Sequence, residues 1–344
     1  MGKVRTYLLN AALICFGLLV GLAVAEIALG ILHRAKRGAE FENLEDLRDA
    51  MLHQPGKGAK HTITLGDLVM PSVDDQIIYE LKPGLDVQFM RARVRTNSYG
   101  MRGPEYSLEK PAGTFRIALI GDSFAFGWGV EEEESFASVL ERNLNRLSGG
   151  FPKFEVLNFA VPGYSTFQEV ELFKEKSVCF DPDAVLVYFV QNDFGLPFFV
   201  RDIRGKKEET SGLFSALEFS RLTWQAANPH AQEELAKMQG WDPNASLNRL
   251  ALTTDEMGIP LYVAINPKKS QKKDISRLPS IRKRDNVFIL DLREGMLLAM
   301  RTRGIDAKTL TLSFDPHPSP LRHQILGDLM TPWLWAAADG FRRP

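Results

Sequence analysis

Short apolar runs alternating with helical segments are the feature that most narrows what this chain can fold into. FRIALI at 115–120 ends in a turn and leads into SFASVLERNLNRL, where Phe136, Val139, Leu140, Leu144 and Leu147 recur at helical spacing. FEVLNFA (154–160), AVLVYFV (184–190), PLYVAIN (260–266) and VFILDL (287–292) repeat the strand signal, with helices predicted over 166–176, 245–257 and 321–338. Strands that are apolar throughout bury both faces. The pattern therefore predicts a three-layer α/β/α sandwich around a five-stranded parallel sheet with right-handed crossovers.

The amino end obeys a different constraint. From Thr6 to Ala25 there is no charge, and Asn10 is the strongly polar exception. At about 1.5 Å per residue such a helix spans a bilayer core of roughly 30 Å. Lys3 and Arg5 ahead of the run, with Ala23-Val24-Ala25 near its end, also suit a cleaved secretory signal. The apolar segment outlasts a usual signal core and resumes after Glu26 as IALGIL, which favours an uncleaved transmembrane anchor within residues 1–37. Basic residues flank both ends, so charge does not set the orientation. The expectation is a single-pass protein of the cell membrane with its main domain extracytoplasmic. Residues 38 to about 75 read as a linker, and small strands and tight turns follow from Gln76, broken at Pro83-Gly84 and Asn97-Ser98. Residues 38–110 thus form a linker and small β-rich pre-domain, and residues 111–344 the main domain, with an insertion at about 194–240.

Charge and cysteine content remove other classes. Lys and Arg total 42 against 43 Asp and Glu, leaving no general cationic field for nucleic acid. Cys15 and Cys179 are too few for a disulfide framework, and Cys15, preceded by Ile14, is a poor lipidation site. There is no HExxH, P-loop or GxGxxG element, and the six histidines lack metal-ligand spacing, so neither metal nor nucleotide cofactor is expected. The basic stretch Lys268 to Arg284 reads as a solvated face, with contact to an anionic polymer or lipid head group as the alternative.

Parallel sheets of this kind place ligands at the carboxyl edge of the strands. There the first strand meets Gly121-Asp122-Ser123-Phe124, where the serine is either a nucleophile or a helix cap. The second meets Gly163, a turn glycine that also lets the backbone approach a reacting group. The third meets Asn192-Asp193, where an asparagine serves as a turn residue or an oxyanion donor. Asp315 and His317, in the loop before the last helix, form a candidate general base and orienting acid. His323 is expected to pack on that last helix.

Together these residues resemble the SGNH (GDSL-type) hydrolases, named for a Ser, Gly, Asn and His in separate blocks. The resemblance covers residues 115 to 338, through Gly121-Asp122-Ser123-Phe124, Gly163, Asn192-Asp193 and Asp315 with His317. Asn97-Ser98-Tyr99-Gly100-Met101-Arg102-Gly103 is similar to an element found before the catalytic block in membrane-anchored bacterial members. The chain departs from the pattern twice. Val190 stands where block three normally begins with glycine, and Phe314 stands where the family's acid usually lies, three residues before the histidine.

The resemblance implies a flavodoxin-like sheet and an esterase mechanism. Ser123 would be the nucleophile, His317 the base and Asp315 the acid, with the Ser123 and Gly163 N–H groups and the Asn192 amide as oxyanion donors. It implies no cofactor, and an acylated small molecule or carbohydrate as substrate. An O-acyltransferase on the same site and a non-catalytic glycan- or partner-binding protein remain alternatives at this level.

Overall fold

A computed structural model describes residues 63–190 apart from 64 and 75, Asp193, residues 242–267, Leu278 and residues 281–339, together with Gly17 and Gly21. The body considered below is formed by Arg48–Val200 and Met238–Pro344. The apolar run at the amino end, the insertion and most of the basic stretch lie outside the described residues. Among the described residues no helix is long and apolar enough to cross a membrane.

The described chain opens with a short helix α1 (Leu65–Leu68), two paired strands β1 (Val69–Pro71) and β2 (Tyr79–Leu81), and the hairpin β3 (Asp86–Phe89) and β4 (Ala92–Arg95). Regular structure is present inside the stretch expected to be linker, where Leu68 and Val69 are fully buried. The expected turns are present. Gly84 has φ +68°, and the Asn97 side chain accepts from the Tyr99 and Met101 amides.

The sheet follows as β5 (Thr114–Gly121), β6 (Lys153–Asn158), β7 (Ala184–Phe189), β8 (Leu261–Ile265) and β9 (Val287–Asp291), all parallel, in the order β6-β5-β7-β8-β9. Counted along these five strands the order is 2-1-3-4-5, the flavodoxin-like arrangement, whose topological switch falls beside the first strand. Every residue of β5, β7 and β8 is buried, as their unbroken apolar runs require, whereas β9 at the edge is partly exposed.

Between the strands run α2 (Ser123–Phe126), α3 (Phe136–Ser148), α4 (Thr166–Glu175) and α5 (Pro243–Glu256), with α6 (Arg293–Arg303) and α7 (Pro320–Ala337) after β9. Helix α3 packs on α7 and α4 on α5, which right-handed crossovers place on opposite faces of the sheet. Ser135 starts α3 by accepting from the Ser138 amide, and Gly149 ends it in the left-handed region. Helix α6 is absent from the sequence expectation. Met296 is its buried residue, and Leu297 and Leu298 are exposed, so it carries no apolar stripe at a 3.6-residue period.

The segment before α7 also differs from the expected loop. Thr311–Leu312 (β10) and Asp315–Pro318 (β11) pair as a short antiparallel hairpin.

Candidate active site

Helix α2 begins one residue after β5 ends, and that junction explains the Gly-Asp-Ser order. A Cβ at Gly121 would sit 2.6 Å from the Ala125 Cβ, so only glycine lets the helix turn this tightly over the strand end. Asp122 is the N-cap, its carboxylate accepting from the Phe124 amide at 2.9 Å. Because Asp122 does the capping, the Ser123 hydroxyl is left for other chemistry. Ser123 is nearly buried, and its amide is among the donors a helix start leaves without an intrahelical partner.

The Ser123 Oγ lies 2.8 Å from the His317 Nε2. On the other side of the ring, the His317 Nδ1 meets the Asp315 carboxylate in a very short contact, and the same oxygen accepts the His317 backbone N–H at 3.0 Å. Asp315 reaches the imidazole from two residues away because β11 is extended. Side chains at i and i+2 of a strand project to one face, so Asp315 and His317 stand side by side.

Two aromatic rings complete the surroundings of the imidazole. Trp128 stacks on His317 with centroids 4.9 Å apart at 19°, and Phe124 lies tilted at 5.2 Å. Trp128 was not legible as a site residue, since it follows α2 by two positions in a turn; its flanking glycines, Gly127 and Gly129, were the available signal. That turn is held by Arg102, which donates to the carbonyls of Phe126 (2.8 Å), Gly127 and Val130 (2.6 Å). Burial pushes the Arg102 guanidinium down to about 10, and it remains charged at neutral pH.

Gly163 lies in the turn after β6. With Pro162 before it, φ +85° and a Tyr164 amide to Val161 carbonyl bond of 3.3 Å, this is a type II turn. Its first residue is tied to the strand that leads into Ser123, since the Val161 amide donates to the Gly121 carbonyl at 3.1 Å. Asn158 also donates to the Ala125 carbonyl at 3.1 Å. Asn192, the remaining expected donor, lies outside the described residues.

Glu169 on α4 is completely buried. Burial, reinforced by the Asp122 charge, holds its carboxyl well above the usual carboxylate range.

The other histidine among the described residues is structural. His323 is fully buried on α7 and its Nδ1 accepts the Phe136 amide at 3.1 Å. Burial, then the Arg102 and Arg322 charges, push it down to about 3. The unfolded chain takes up this proton near pH 6.5 and the folded one does not. Stability from this residue is therefore full above about pH 6.5 and declines by about 1.4 kcal/mol per unit as pH falls towards 3. In urea unfolding, the stability margin of the native protein over His323→Leu should shrink by about 2 kcal/mol between pH 7.5 and pH 5. An unchanged margin would contradict a neutral buried imidazole.

No family model matches the chain, and no curated protein matches it. Among solved structures it is similar to a two-domain esterase active on acetylated mannans, at 14% identity and TM-score 0.41 over 66% of this chain. The chain spans half of the length of that esterase, at 50%. An acetylxylan esterase from Geobacillus stearothermophilus shows 15% identity and TM-score 0.40, covering 63% of this chain and 93% of its own. A lipase/acylhydrolase from Enterococcus faecalis shows 16% identity and TM-score 0.38, covering 64% and 96%.

Proposed function

We propose that the chain is a serine esterase of the SGNH type, held at the cell membrane by its apolar amino end and cleaving O-acyl esters, with acylated glycans as the substrate class. The observation that carries this reading is one line of contacts, from the Ser123 hydroxyl to His317 Nε2 at 2.8 Å and from His317 Nδ1 to Asp315.

In this mechanism His317 Nε2 takes the Ser123 proton as Oγ bonds to the acyl carbon. The carbonyl oxygen gains the negative charge and is met by the Ser123 and Gly163 amides and the Asn192 side chain. Collapse of the tetrahedral intermediate breaks the ester C–O bond, and His317 returns the proton to the departing alcohol oxygen. Water then adds to the acyl carbon, losing a proton to His317; collapse breaks the Oγ–acyl bond, His317 returns that proton to Oγ, and the acid leaves. Asp315 keeps Nδ1 protonated throughout, and Trp128 covers one face of the ring as it becomes cationic.

Fluorophosphonate labelling of the full chain tests the assignment. The expected result is a single adduct on the peptide carrying Ser123, lost in Ser123→Ala. Labelling that survives the substitution, or none on folded native protein, would overturn it.

A further inference from the structure

Tyr79 belongs to the β-rich segment ahead of the main sheet, yet its hydroxyl donates to the carbonyl of Pro162 at 2.8 Å, in the turn that presents Gly163. A trans peptide points its C=O and N–H in opposite directions. Fixing the Pro162 carbonyl therefore fixes the Gly163 N–H, which faces away from Tyr79. A type II turn is the case in which this matters most, because its central peptide can flip to the type I orientation by rotating the two adjoining dihedrals.

The contact is built rather than incidental. Tyr79 is 2% exposed. The residue after Gly163 returns the bond, with the Tyr164 hydroxyl donating to the Tyr79 carbonyl, and the two rings meet edge-on at 5.1 Å. Gln168 on α4 donates to the Ile77 carbonyl at 2.7 Å. Between them Ile78 is held at φ +71°, a backbone conformation that a β-branched residue rarely adopts, in a three-residue turn closed by the Tyr79 amide on the Ile77 carbonyl at 2.9 Å. Strain of this kind persists where surrounding contacts over-determine a geometry, and here it presents one hydroxyl to one carbonyl.

We infer that Tyr79 is a positioning residue for the oxyanion donor: by holding the Pro162 carbonyl it aims the Gly163 N–H at the oxygen that becomes charged over Ser123. The inference rests on the esterase reading above. It makes the segment ahead of the sheet part of the catalytic apparatus, although none of its residues touches the reacting atoms.

Tyr79→Phe removes the hydroxyl and keeps the ring. In steady-state hydrolysis of p-nitrophenyl acetate by the full chain, kcat should fall about tenfold with KM within twofold, less than the loss for deleting an oxyanion donor outright. The inhibition constant of phenylboronic acid, which becomes a tetrahedral anion on serine, should weaken by a similar factor. Tyr188→Phe loses a fully buried hydroxyl that donates to the Asn266 Oδ1 at 3.1 Å and leaves the Pro162 carbonyl held. It should lower Tm comparably and leave kcat within twofold, each variant being assayed well below its own Tm. A Tyr79→Phe enzyme with unchanged kcat, or equal losses in both variants, would overturn the inference while leaving the esterase reading intact. Turnover surviving in Ser123→Ala would instead refute that reading, and the inference with it.

Discussion

Asp315→Asn is expected to lower kcat for p-nitrophenyl acetate by about 10⁴-fold, or about 5.5 kcal/mol in the barrier, with KM changed little. The reason lies in the tautomer rather than in bulk charge. Asp315 accepts from both the His317 backbone amide and Nδ1, so Nδ1 carries hydrogen and Nε2 is the acceptor facing Ser123. An asparagine can turn its NH₂ to Nδ1, which moves the hydrogen to Nε2 and leaves no base for the serine. It also removes the charge that stabilises the imidazolium. A loss below about tenfold would mean that another carboxylate, or none, supports the histidine.

The second large effect is expected in stability. Arg102→Met deprives the carbonyls of Phe126, Gly127 and Val130 of a donor in a buried setting and removes a cation 4.8 Å from the Phe126 ring. Hydrogen bonds to a charged group are each worth about 1.5–3 kcal/mol, so the cost should exceed about 4 kcal/mol, a large part of an ordinary folding free energy. Tm should fall by about 10 °C or more. Arg102→Lys should recover little, because one ammonium cannot reach three carbonyls in the geometry of a planar fork. The turn carries Trp128 against His317, so surviving protein should also turn over more slowly. A Tm shift under about 3 °C would show that the turn holds itself.

The sheet was legible because β5, β7 and β8 are buried on both faces and their sequences contain almost nothing else that could be read. Helix α6 was not, since Met296 through Met300 form a continuous apolar run of which only Met296 is buried, and the Leu292 side chain makes no cap. At the site, chain order led to Ser123, Asp315 and His317, and the structure brings these three into contact. Whether Ser123 capped the helix was open in the sequence, and Asp122 resolves it by taking the cap. Trp128, Arg102 and Tyr79 escaped as supports because each acts across a long chain separation, as in the Tyr79–Pro162 bond between residues 83 apart. Such pairs leave no periodic trace in one sequence.

The hairpin beneath the acid and base carries a consequence for altering this loop. Its alternation makes the pairing a matter of parity: an even step keeps carboxylate and imidazole on a common side, whereas an odd step within the same extended backbone turns one of them over. Inserting a single alanine after Pro316 would then be far more damaging than its size suggests, and relocating the acid to position 314 would succeed only if the ladder itself were rebuilt as a bend.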